Sequence, residues 1–258
     1  MKKTFLYHSI LFITFVFTLL SCEVSEKTES KSDVETKTLE RDTVAQPNVV
    51  EGDLIIRDYE AKNLHKEAGF LQTAPQNKAL LKEGDIDFVF NTKKFPFVDG
   101  HSVRLSVENG TKKFVFDATK KVTLPKGVFL CAAYLCDGNG VSVKNENSYQ
   151  LTQLNIGIDE KKDIDVTQPM VFLNLPNPVE TSTILLDFML INTALSANGN
   201  KVRVSIDDET ELYLKEWKSL KIAGLKPGKH KVLVELISAK GKLYDGIYAN
   251  DVQEFMVQ

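Results

Sequence analysis

The chain has 258 residues, of which 43% are hydrophobic and 26% charged, the balance of a folded, water-soluble protein. Its 32 basic and 35 acidic residues give a net charge of −3; nucleic acid is excluded as a natural partner, because phosphate backbones are gripped by basic surfaces. The residues beyond about position 50 suffice for two domains of ordinary size.

The first stretch reads as an export signal. Lys2 and Lys3 precede an apolar run from Phe5 to Leu20 that ends in Leu19-Leu20-Ser21-Cys22. A basic start, an apolar core too short to span a bilayer and a small residue before the cut describe a cleaved leader. The last four residues resemble the lipobox of bacterial lipoproteins, which implies a signal peptide over 1–21 and a lipid on Cys22. The plain alternative is an ordinary secretory leader in which Cys22 is incidental. Several acyl chains on one residue give stable anchoring where a single chain does not. Residue 23 is Glu rather than the Asp that resembles an inner-membrane retention signal, so the expected location is the outer membrane. Glu23, Glu26 and Glu29 resemble a surface-export signal but are not contiguous, which leaves the side of the membrane open. Cleavage removes Lys2 and Lys3, leaving 30 basic against 35 acidic residues and a net charge of −5.

Residues 22–49 are crowded with Ser, Thr, Glu and Lys and carry no apolar stripe at helical spacing. Such a segment cannot bury enough surface to offset the entropy of ordering it and reads as a disordered tether.

The remainder of the chain repeats one pattern twice. Asp87-Phe88-Val89-Phe90-Asn91-Thr92, Val103-Arg104-Leu105-Ser106-Val107 and Leu124–Leu135 are matched in order by Asp187–Thr193, Val202-Arg203-Val204-Ser205-Ile206 and Leu225–Leu236. Two copies, each long enough to close its own core, predict a tandem over 50–160 and 161–258. Apolar residues alternate within each copy: Ile86, Phe88 and Phe90 take one face, Asp85 and Asp87 the other, the period of a half-buried strand. Turn signals such as Asn109-Gly110, Asn198-Gly199 and Lys240-Gly241 separate these runs. The expectation is all-β, two sandwiches of the immunoglobulin or fibronectin-III type. Only Tyr59–Leu81 has room for helix, interrupted at Gly69 and Pro75.

The lipobox and tether, with SVKNENSYQLTQLNIG (Ser142 to Gly157) closing the first copy and LLDFMLINTALSANGNKVRVSI (Leu185 to Ile206) opening the core of the second, resemble a group of uncharacterised two-domain bacterial lipoproteins. Some of that group are called phosphopeptide-binding. The resemblance supplies no functional residues, and the Arg cluster that recognises phosphate is missing from this sequence.

Candidate sites are few. Cys131 and Cys136 lie five residues apart on one strand and so on opposite faces, which predicts two buried thiols rather than a disulfide. His65, His101 and His230 have no ligand spacing, and Asp137-Gly138-Asn139-Gly140 lacks the later acid of a calcium loop. Asp207-Asp208-Glu209 reads as a solvated turn. No nucleophile with a base and no phosphate loop is present, so neither catalysis nor a metal or cofactor is expected. Tyr213 and Trp217, flanked by lysines, form a candidate surface for a sugar ring or a protein; the plain alternative for Trp217 is the sandwich core. Leu185, Met189 and Ile191 point outward on a strand whose other face fills the core, and ask for cover by the first domain, a twin subunit or a client protein. A bulge near Ile191 is the alternative. The reading is a non-catalytic lipid-anchored module that binds another envelope protein, with a glycan-binding accessory protein as the alternative and a loop-borne enzyme as a remote third.

Overall fold

The computed structural model of the chain describes residues 49–51, 53–59, 65–107, 112–176, 182–246 and 248–258. The expected signal peptide, Cys22 and all but the last residue of the expected tether lie outside the described residues.

Each alternating run forms a strand. Strands β1 (Val49–Glu51) and β2 (Leu54–Tyr59) come first. The first repeat gives β3 (Gly69–Ala74), β4 (Ala79–Leu81), β5 (Gly84–Lys93), β6 (Ser102–Val107), β7 (Lys112–Phe116), β8 (Thr119–Leu124), β9 (Gly127–Cys136) and β10 (Tyr149–Ile156). The second gives β11 (Met170–Asn174), β12 (Thr183–Ile191), β13 (Lys201–Ile206), β14 (Thr210–Leu214), β15 (Ser219–Ala223), β16 (Gly228–Ile237) and β17 (Asn250–Val257).

In the first sandwich, sheet β3-β5-β8 faces sheet β4-β10-β9-β6-β7. Ile86, Phe88 and Phe90 of β5 meet Leu105, Phe129 and Leu154 in a buried core. The second sandwich repeats the plan: β11-β12-β15 faces β14-β13-β16-β17, closed by Leu186, Phe188, Val204, Ile222, Val234 and Leu236. In both, a common set of three strands packs over a common set of four, with β4 added at the edge of the first sandwich and β1-β2 at the edge of the second. Three strands over four in this order is the fibronectin-III arrangement, so the chain is an all-β tandem of such sandwiches.

Two expectations need correction. The stretch expected to have room for helix carries β3 and β4 instead; β3 pairs antiparallel with β5 from Gly69↔Lys93 onward, and β4 pairs parallel with β10. Gly69 and Pro75 leave too few residues between them for a helix, whereas the sheet edge beside β5 supplies hydrogen bonds at once. The other correction concerns the boundary at residue 50. Strand β2 precedes the first sandwich in sequence but belongs to the second, pairing with β15 from Ser219↔Tyr59 to Ala223↔Ile55. Ile56 enters the second core, and Asp58 holds Lys218 at 2.7 Å. This strand covers what would otherwise be the open edge of β15.

The sandwiches are packed together, and all described residues fall in one compact unit. The outer face of β9 offers Leu130, Ala132, Tyr134 and Cys136; Met170 and Phe172 of β11 and Met189 and Ile191 of β12 fill it from the other side. The connecting segment runs back over the first sandwich. Lys162 N–H donates to Asn155 Oδ1 (3.0 Å) and Ile164 N–H to Gln153 Oε1 (2.9 Å), and Ile164 and Val166 pack on the same cluster.

Ile56→Ala should cost about 2–4 kcal/mol and, by hydrogen exchange, loosen β15 of the second sandwich while β8 of the first keeps its protection. Equal loss in both strands would contradict the assignment of β2.

Candidate functional site

The residues expected to form a binding surface are divided by the fold. Met189 and Ile191 are fully buried against the first sandwich, so of the covers expected for them the first domain is the one found, and the register of β12 with β11 is unbroken through Met170↔Ile191, without the expected alternative of a bulge. Leu185 is half-buried near the start of β12. Trp217 is also turned inward: its indole N–H donates to the Phe188 carbonyl at 2.8 Å, and its ring packs on the second core and the inter-sandwich cluster. Tyr213 alone of the five stays open, 50% exposed on β14. The expected surface is therefore not one surface, because alternation along β12 sends Met189 and Ile191 to a face that the first sandwich already occupies.

At the centre of that contact stands a carboxylate that sequence reasoning passed over. Asp187 is completely buried. Its Oδ1 accepts from Lys144 Nζ at 2.5 Å and Ser219 Oγ at 2.7 Å; its Oδ2 accepts from Ser142 N–H at 2.8 Å and Asn174 Nδ2 at 2.7 Å. Ser142 and Lys144 come from the loop between β9 and β10 of the first sandwich; the other three residues belong to the second. Lys144 is also held by the Phe188 carbonyl at 3.3 Å and lies over the rings of Trp217 (5.4 Å) and Phe188 (5.6 Å), a setting that favours a cation. Trp217 thus works as a wall around the lysine.

Burial alone would raise the Asp187 carboxyl; the Lys144 charge and the hydrogen bonds from Lys144, Asn174 and Ser142 outweigh it and hold the group below its ordinary value. The loop must approach closely to deliver them. Gly140, at φ 77°, gives its carbonyl to Asn174 Nδ2 at 2.8 Å, and a Cβ there would stand 2.8 Å from Pro176 Cβ. One signal in the sequence pointed here: Asp187 sits among Leu185, Met189 and Ile191, and an acid inside an apolar outward strip needs a buried partner.

The remaining candidates find structural roles. Cys131 lies in the first core and Cys136 in the inter-sandwich cluster, on opposite faces of β9 as expected, with the Cys136 thiol pushed up to about 12 by burial. Asp137 Oδ1 accepts from Asn139 and Val141 N–H, both at 2.9 Å, which makes its loop a tight turn. His65 and His101, far apart in sequence, pack ring edge to face at 4.6 Å. His230 faces acceptors at both nitrogens, Asp207 Oδ2 at 2.6 Å and the Lys226 carbonyl at 2.7 Å. Burial would lower it; those hydrogen bonds prevail and raise it, since only the imidazolium donates twice. Asp207 and Asp208, both at positive φ, form the turn between β13 and β14. Among the described residues no group of three or more His, Cys, Asp or Glu side chains is placed to hold a metal.

Two open features of the second sandwich bear on binding. The outer face of β14-β13-β16-β17 exposes Leu243 (53%), Val252 (51%) and Met256 (57%). A groove of about 330 Å³ runs between β2 and β14, with Tyr213, Asp58, Glu216 and Lys218 on its walls.

No family model matches the chain, and no curated protein matches it. Among solved structures it is similar to the fibronectin(III)-like modules of CbhA from Clostridium thermocellum, at 16% identity over 73% of this chain and 94% of that one, TM-score 0.28. A two-domain fibronectin type-III segment of chicken tenascin matches at 7% identity over 72% and 97%, TM-score 0.21. SGBP-B of the Bacteroides ovatus mixed-linkage glucan utilization locus, solved with a heptasaccharide, matches at 11% identity over 74% of this chain and 47% of its own, TM-score 0.23. These likenesses concern fold alone.

Breaking a buried ion pair from one side costs about 3–5 kcal/mol; we expect that loss in urea unfolding of both Asp187→Asn and Lys144→Met. Because the Asp187 carboxyl is depressed in the folded state, its stabilisation is complete above the ordinary carboxylate value and is lost as pH falls through the folded one. The acid limb of a stability-against-pH profile should therefore flatten in Asp187→Asn. An unchanged limb would contradict the assignment.

Proposed function

We propose that the protein is a non-catalytic binding module of the bacterial envelope, held at the outer membrane by a lipid on Cys22, that takes another envelope protein on its second sandwich. The observation that carries this reading is the contrast between equivalent faces. The outer face of β9 and β10 is covered by the second sandwich and the connecting segment, while the same face of β16 and β17 leaves Leu243, Val252 and Met256 about half exposed. Exposed apolar side chains on a face whose counterpart is docked, interspersed here with the pairs Lys229–Glu254 and Arg203–Glu235, are a mark of an interaction surface.

A second reading, glycan binding, is supported by the groove beside Tyr213. An open ring flanked by Asp58, Glu216 and Lys218 offers a stacking platform with hydrogen-bonding groups. The half-buried Trp217 supplies no second ring to it.

The two separate by photocrosslinking in living cells. A photoreactive residue at Val252 should capture an envelope protein, and the same residue at Tyr213 should not; Cys22→Ala should abolish the adduct together with membrane attachment. A blank Val252 position, with a soluble polysaccharide that changes the protein's fluorescence in a way that Tyr213→Ala removes, would transfer the reading to glycan.

A further inference from the structure

The chain contains one worked example of how its four-strand sheet face docks, and the second sandwich carries that face again with its charges exchanged. The two loops that come after β9 and β16 share their framework of backbone hydrogen bonds. Val143 N–H donates to the Leu135 carbonyl at 2.9 Å as Tyr244 N–H does to Leu236 at 3.0 Å, and Asp137 N–H to Val141 at 2.8 Å as Ser238 N–H does to Lys242 at 2.7 Å. The bridges Cys136↔Ser142 and Ile237↔Leu243 correspond as well.

This fixes the equivalences. Leu243 stands where Ser142 gives its N–H to Asp187, and Asp245 stands where Lys144 gives its ammonium. On the sheet, Leu233 and Val252 replace Ala132 and Leu151 and keep that part of the floor apolar, while Lys231 replaces Leu130 and Glu235 replaces Tyr134. Lys231 is already held by Asp208 at 2.5 Å. Glu235 is already held by Arg203 within the face, whereas Asp245 is exposed at its rim.

From this substitution we infer that the open face receives a β-sheet face of a partner protein with apolar side chains and one lysine or arginine placed to meet Asp245. It is the reverse of the internal contact, in which the loop brings the cation and the covering sheet the acid. The inference rests on the protein-binding reading above. A second copy of this chain is the wrong occupant: where Asp187 stands in the second sandwich, the first has Asp87, on the solvent side of β5 with Asp85. Stacking copies head to tail would set the apolar floor and Asp245 against Asp85, Asp87 and Asn91, an exposed polar strip in which Lys121 is already paired with Asp87 at 3.9 Å, so neither the apolar contact nor an unpaired cation is supplied.

The test places a photocrosslinker at Leu243 or at Val252 of the full chain in cells, with Leu71, exposed on the first sandwich, as the control position. We expect adducts from the first two only, mapping to a partner strand that bears a lysine or arginine, and about tenfold less adduct when Asp245→Lys is added. Asp245→Asn should fall between, and both variants should keep wild-type unfolding. Adducts that persist undiminished in Asp245→Lys, or map to a strand without a basic residue, would overturn the inference and leave the protein-binding reading standing. Adducts to another copy of this chain would overturn it as well. Failure of both positions to capture any protein would remove the two together.

Discussion

A carboxylate taken entirely out of water must be matched by its neighbours, and the joint between the two sandwiches is organised by that requirement. Asp187 has four donors within 2.8 Å, two from each sandwich. Apolar contact alone would let two sheet faces slide, because burial is not directional. Four directed bonds set one position, and the lysine among them is enclosed by Trp217 and Phe188. The ion pair itself adds less to net stability than its geometry suggests, since both charges lost their hydration; its contribution is to make any other arrangement expensive. The apolar cluster around it supplies the favourable burial, about 1.5–3 kcal/mol for each large side chain fully covered.

The same requirement explains why equal repeats end with unequal faces. Both copies keep the strand order, the loop after the long strand and an Asp at positions 87 and 187. They differ at single positions that decide what is covered: Lys144 against Asp245, Leu130 against Lys231 and Tyr134 against Glu235. The first copy is equipped to dock on the second, and the second is not equipped to dock on the first. Strand β2 adds to the asymmetry. By pairing with β15 it ties the segment before the first sandwich to the second, so both sandwiches are crossed by chain that sequence order assigns elsewhere.

The sandwiches were legible because alternation is a local property: Ile86, Phe88 and Phe90, and Val202, Val204 and Ile206, announce their faces without knowledge of any partner. The need for cover over Met189 and Ile191 was legible for the same reason. Its source was not. Whether a sheet face is met by a sister domain or a stranger depends on residues such as Lys144, which in sequence is one lysine among many in a polar loop. Strand β2 was unreadable for a related reason, as Leu54-Ile55-Ile56 carries an apolar run but no sign of which edge it will join. For Trp217 the alternative of the sandwich core is the one found: Lys218 reaches Asp58, and the indole turns inward toward the Phe188 carbonyl.

The central claim is that the Asp187 joint makes the two sandwiches one rigid body. Backbone ¹⁵N relaxation of the soluble chain measures this directly, because the tumbling of each sandwich is read separately. A single rotational correlation time and a common diffusion tensor for the strands of both sandwiches is the predicted result, and independent, faster tumbling of either one would contradict the account.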